Sequence, residues 1–142
     1  MKRTNYFFII PAVLTLLLTG CATTAQRAFI TQKSAVQLRS IQTRAFDTTD
    51  KKMMMQTIIS TMQDLDFVID KADFLLGSVT GSKFLGNAVV TMTVTVRPRG
   101  EKQLLVRVNA QYGIKTIEDS QTYQDFFTAL EKALFLTAHK VD

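Results

Sequence analysis

The sequence predicts an α+β fold: an antiparallel sheet of about four to five strands with two helices packed on one face, in the order β-α-β-β-β-β-α. Two patterns carry this expectation. Val90, Met92, Val94 and Val96 alternate with Thr91, Thr93, Thr95 and Arg97. After Pro98-Arg99-Gly100-Glu101, residues Leu104, Val106, Val108, Ala110 and Tyr112 alternate with Leu105, Arg107, Asn109 and Gln111. Period-two alternation around a turn describes a hairpin with one buried and one solvated face. Flanking it are two stripes at helical spacing: Met55, Ile58, Ile59, Met62 and Leu65, then Tyr123, Phe126, Phe127, Leu130, Ala133 and Leu134.

The remaining elements follow in chain order. Residues 35–46 (AVQLRSIQTRAF) place apolar and β-branched side chains about two apart and read as a first strand. Asp47-Thr48-Thr49-Asp50 supplies capping oxygens for a helix over about 48–64. Asp66–Asp70 reads as a short strand and Lys71-Ala72-Asp73 as a turn. Leu75–Lys83 reads as a further strand weakened by Gly77 and Gly81, and Phe84-Leu85-Gly86-Asn87 as the turn into the main hairpin. Asp119 or Ser120 caps the last helix. The sheet face rich in Thr and Ser is expected to meet water or a partner.

The first 20 residues stand apart from this domain. Lys2 and Arg3 precede an uncharged run from Tyr6 to Leu18, interrupted only by Pro11 and Thr15. That is the length of a signal-peptide core and shorter than the roughly 20 residues that cross a bilayer. It ends at Leu18-Thr19-Gly20-Cys21, and Cys21 is the only cysteine. With no second cysteine in the chain, an intrachain disulfide is excluded.

This boundary resembles the lipobox of bacterial lipoproteins, in which Leu and two small residues precede an acylated Cys. The resemblance covers the first 21 residues. It implies a signal peptide over 1–20, cleavage before Cys21, a diacylglyceryl thioether on the Cys21 sulfur and an acyl chain on the new amino terminus. Burying acyl chains yields about 0.8 kcal/mol per CH₂, so two or more chains anchor stably where one binds reversibly. Residues 21–34 then form a lipidated tether with a reach of about 45 Å at most, and 35–142 a single domain. Ala22 follows Cys21 where an Asp would imply inner-membrane retention, which places the expected anchor on the outer membrane, facing the periplasm. The element order is also similar to the helix-grip arrangement of small envelope lipoproteins. The segments Phe46–Asp50 and Leu65–Asp70 resemble those of uncharacterised proteobacterial lipoproteins, a group from which no functional residues carry over.

Composition narrows the function. The leader holds two of the 17 basic residues and none of the 12 acidic ones, so 15 face 12 in the remainder. A surplus of three charges is no footprint for nucleic acid. The candidate chemistry is sparse. Consecutive Met53-Met54-Met55 point about 100° apart on a helix and cannot converge on a soft metal, so they read as core fillers. Gly77–Lys83 lacks phosphate-loop spacing. Asp66, Asp70 and Asp73 lack a calcium-loop pattern and read as turn formers. His139, the only histidine, sits in a solvated C-terminal segment. The Arg97-Pro98-Arg99 turn with Lys102 is a basic hairpin tip, solvated or in contact with an anionic headgroup or acidic partner. No catalytic, cofactor or metal set is expected. The expectation is a non-enzymatic interaction or assembly module bound to the membrane through Cys21, with an envelope protein as partner. The alternative is a small-ligand or lipid-binding domain with a cavity between helix and sheet.

Overall fold

Among the described residues, regular structure starts at Ser34. The computed structural model describes residues 33–138; the leader, Cys21, most of the tether and His139 lie outside the described residues. Ser34 Oγ accepts from the Gln37 amide at 3.2 Å while Gln37 Oε1 accepts from the Ser34 amide at 3.0 Å. This reciprocal capping box satisfies two orphan amide donors and starts helix α1, Ala35–Ile41. The expected strand over 35–46 is therefore corrected: only Thr43–Phe46 is extended, as β1. Leu38 and Ile41, three residues apart, turn to the core together. Over seven residues a period of two and a period of 3.6 are hard to separate, and the cap decides between them. Lys33 precedes the cap, and its amide and Nζ both donate to Glu118, at 3.1 and 2.6 Å.

Asp50 Oδ1 accepts from the Met53 amide at 2.8 Å and starts α2, Lys51–Asp64. Its buried face is Met54, Met55, Thr57, Ile58, Thr61 and Met62. Relative to the expected stripe the face is rotated toward Met54, and Ile59 is only partly buried. Two of the three consecutive methionines, Met54 and Met55, are fully enclosed core.

Four strands then run as a meander: β2 (Val68–Asp73), β3 (Ser78–Leu85), β4 (Ala88–Arg99) and β5 (Gln103–Tyr112). A two-residue β6 (Lys115–Thr116) folds back on β5. The sheet order is β1-β5-β4-β3-β2, antiparallel throughout. β4 occupies one side of β5 along its whole length, so β1 and β6 share the other side. The turn expected at Lys71–Asp73 lies instead at Phe74–Gly77. A register shift at Asp70 gives β2 one extra residue and carries it on to Asp73. Asp73 Oδ1 then accepts from the Leu76 amide at 2.8 Å, and Gly77, at φ 73°, takes the left-handed conformation that closes the turn.

Asp119 caps α3, Ser120–Ala138, accepting from the Thr122 amide at 2.9 Å and the Thr122 hydroxyl at 3.0 Å. α2 and α3 cover one face of the sheet. Val79, Val90, Met92, Val94 and Val96 from β3 and β4, and Leu104, Val106, Val108 and Ala110 from β5, close the core from below. From α3 come Tyr123, Phe126, Phe127 and Leu130, with the two phenylalanines edge-to-face at 5.5 Å. Burying each such side chain contributes about 1.5–3 kcal/mol. The Arg44–Glu131 ion pair (2.7 Å), which ties β1 to α3 beside a cation–π contact to Phe127 (4.6 Å), contributes about 1 kcal/mol or less. Apolar burial therefore seats α3, and the ion pair trims its position. No helix among the described residues is long and apolar enough to cross a membrane.

Candidate functional site

The sheet register sorts the exposed features into two regions. The first is the end of the sheet that holds the β3–β4 and β5–β6 turns. Pairing of Phe84 with Val89 and of Val90 with Tyr112, and a bond from the Gly113 amide to the Val89 carbonyl at 3.0 Å, bring four large apolar side chains to this end. Phe84 and Ile114 are 71% and 98% exposed, and Leu85 and Tyr112 are about half exposed. Single exposed apolar side chains are ordinary on a protein surface, whereas a group of them marks a contact site.

Leu85 also lines a groove of about 310 Å³ that runs under this end, between the close of α2 and the start of α3. Leu65, Phe67, Val90, Met92, Ile117 and Phe126 make it apolar, and Lys83, Thr122 and Asp125 supply polar groups. Lys83 Nζ is already engaged, donating to the Leu65 carbonyl at 3.0 Å and to Asp66 Oδ2 at 3.2 Å. Asp66 itself holds a left-handed conformation at φ 65°, which a short polar side chain tolerates best.

The second region is the face of the sheet opposite the helices. Ser78, Thr80 and Ser82 of β3 lie beside Thr91, Thr93 and Thr95 of β4, and these beside Arg107, Asn109 and Gln111 of β5. The hydroxyls of Thr80 and Thr93 bond across the strands at 3.2 Å, and Ser82 Oγ donates to Asp70 Oδ2 at 2.6 Å. At the β1 side of this face Arg39, Thr43, Thr95, Arg97, Leu105 and Arg107 enclose a cleft of about 160 Å³.

The residues singled out in the sequence distribute as follows. Asp66, Asp70 and Asp73 do not converge: one pairs with Lys83, one accepts from Ser82, and one organises the Phe74–Gly77 turn. Among the described residues no three His, Cys, Asp or Glu side chains gather as a metal site. Gly77–Lys83 is turn and strand. Gly81 is needed for space, since a Cβ there would lie 2.8 Å from the Val68 carbonyl oxygen and 3.0 Å from Met62 Cε. Of the basic hairpin, Arg97 enters the cleft while Arg99 and Lys102 stay outside its lining. Arg39 and Arg107, its companions there, were not joined to it by sequence reasoning. Their joint presence depends on the pairing of Thr43 with Arg107, between strands far apart in the chain. Among the described residues Asp119 is the one carboxyl with a displaced titration: hydrogen bonds from the Thr122 amide and then its hydroxyl hold it below the ordinary 3.8. That belongs to its capping role.

No protein-family model matches this sequence, and comparison with curated proteins finds no relative.

Proposed function

We propose that this chain is a non-enzymatic interaction or assembly module of the bacterial cell envelope. In this reading it is held by lipid on Cys21 at the periplasmic side of the outer membrane, with an envelope protein as its partner. The leader and Leu18-Thr19-Gly20-Cys21 support the anchor. The observation that carries the contact role is the apolar end of the sheet, where Leu85 and Tyr112 on the helix-facing side, Phe84 on the opposite side and Ile114 in the β5–β6 turn are all exposed. Four such side chains in water are a standing cost that a partner surface would remove.

The test combines anchor and surface. Wild type should fractionate with membranes and co-purify with a defined partner, and Cys21→Ala should be released. Ile114→Asp with Phe84→Asp should stay anchored and folded while losing the partner. If wild type and Cys21→Ala are both membrane-bound and unacylated, the anchor is wrong. If intact envelope yields no partner above background, the assembly role is wrong.

A second reading, a small-ligand or lipid-binding lipoprotein, is favoured by the 310 Å³ apolar groove. It meets the lower bound of about 300 Å³ for a ligand pocket. Leu85→Trp places an indole at the groove mouth. It should abolish uptake of an apolar fluorescent probe, and unchanged uptake removes this reading.

A further inference from the structure

We propose that the cleft between α1, β1, β4 and β5 is a binding site for a phosphate group, held by Arg39, Arg97 and Arg107. The inference does not rest on the lipid anchor or on the apolar end of the sheet.

The three guanidinium groups come from three different elements into a cleft of about 160 Å³. Arg107 stands opposite Thr43 on one side and Thr95 on the other, and Arg97 stands opposite Leu105. Arg39 is added from the last turn of α1. Arginine keeps its charge at any relevant pH, so three like charges share one small space. Four other cations are matched within the fold: Arg44 with Glu131, Lys83 with Asp66 and the Leu65 carbonyl, Lys33 with Glu118, Lys51 with the Leu75 carbonyl; Lys52, Lys71, Arg99, Lys102, Lys115 and Lys132 are unmatched among the described residues but do not line this cleft. Among the described residues, none of the Arg39, Arg97 and Arg107 side chains donates a hydrogen bond or enters an ion pair. The acidic residues nearest in sequence do not line the cleft, and Asp47 is taken up by Gln103 at 2.6 Å. The fold thus gathers positive charge here and leaves its neutralisation to something outside the domain.

The chemistry of the donors selects the class of anion. A guanidinium offers parallel N–H donors to two oxygens at once. A carboxylate brings one negative charge and two oxygens in one plane, too little to match three guanidinium groups arriving from three elements. A phosphate monoester carries a charge of about −1.5 to −2 and three terminal oxygens in a tetrahedral array, enough for three forks. The Thr43 and Thr95 hydroxyls add neutral donors at the rim. Thr95 Oγ1 donates only a long, weak bond of 3.5 Å to the Arg107 carbonyl, which a ligand oxygen can replace. The cleft is about half the volume of a pocket for a drug-sized ligand, so it takes the ionic group and not a whole organic molecule.

The phosphate source is either soluble or a lipid headgroup, and the experiment separates them. The full chain in neutral detergent is titrated at fixed ionic strength with inorganic phosphate, with acetate, and with short-chain phosphatidic acid and phosphatidylcholine, following binding by calorimetry. Saturable binding of phosphate without acetate binding is expected. Arg97→Gln with Arg107→Gln, and Arg39→Gln alone, should weaken it by roughly tenfold or more. All three side chains are exposed, so these variants should fold as wild type does. Arg99→Gln with Lys102→Gln removes the same charge outside the cleft and should change binding less than about twofold. Tighter binding of phosphatidic acid than of phosphate identifies a headgroup, and equal binding identifies a soluble phosphate. Absence of saturable phosphate binding overturns the proposal. So does acetate binding as well as phosphate, or an equal loss in the Arg99/Lys102 variant, which would reduce the effect to diffuse charge.

Discussion

Tyr123→Phe removes one oxygen from the core and leaves its ring in place. That hydroxyl donates to the Ile117 carbonyl and accepts from Gln42 Nε2 at 3.1 Å. Tyr123 is 0% and Gln42 2% exposed. Gln42 also closes α1, through its backbone amide to the Leu38 carbonyl, and its backbone carbonyl accepts from the Val108 amide at 2.9 Å. One residue therefore sits where α1, β1, β5 and α3 meet, its side chain reaching Tyr123. In the variant the Ile117 carbonyl, on a half-buried residue, can recover a water molecule. The Gln42 amide cannot, and an orphaned buried donor costs about 1–3 kcal/mol. For a domain of this size that is about 4 °C in Tm per kcal/mol. Urea and thermal unfolding of the full chain read both quantities. A cycle with Gln42→Leu isolates the cause: with Gln42 gone nothing is orphaned, so the double variant should recover about 0.5–3 kcal/mol relative to the sum. A Tyr123→Phe protein within about 0.5 kcal/mol of wild type, or strictly additive variants, would refute the reasoning.

Two further outcomes follow from local geometry. Gly81→Ala sets a Cβ against the Val68 carbonyl oxygen at 2.8 Å; Met62 can swing away, but strand backbone cannot, so a loss of about 1–3 kcal/mol is expected in urea unfolding. The Asp119 carboxyl is held below the ordinary 3.8 by the Thr122 amide, so its folded value lies under its unfolded one. Its contribution is complete above the unfolded value and is lost as pH falls through the folded one. The stability difference between wild type and Asp119→Asn should therefore be constant near neutrality and shrink below about pH 4; a difference that persists unchanged into stronger acid would rule out the carboxylate's part.

The main hairpin and both long helices were legible because each has a face to bury and enough length to declare its period. Val90 to Val96 and Leu104 to Ala110 point to the core as alternation demands. The missed helix α1 had its signal in Ser34 and Gln37, three residues apart, and the alternation at Ile41, Thr43 and Ala45 hid it. The β2–β3 turn was misplaced because Phe74-Leu75-Leu76 is apolar where turns are ordinarily polar; its geometry comes from Asp73 and Gly77 instead. The arginine cleft was legible only in part. Arg97 stood out as a hairpin residue, but Arg39 and Arg107 join it through a strand pairing that no local pattern encodes.

The pairing of β1 with β5 also dictates an order of events as the chain emerges. Thr43 meets Arg107 only after some 60 intervening residues exist. Closing a loop of that length costs about 3.6 kcal/mol of chain entropy, against about 1.2 kcal/mol for a four-residue hairpin loop. The β2–β5 meander can assemble from neighbours, whereas β1 must wait. Until β5 is complete, the N-terminal part of the domain has no strand to join, and one side of the arginine cleft does not exist. A nascent chain halted before residue 103 would carry Arg39 and Arg97 without the strand that brings them together.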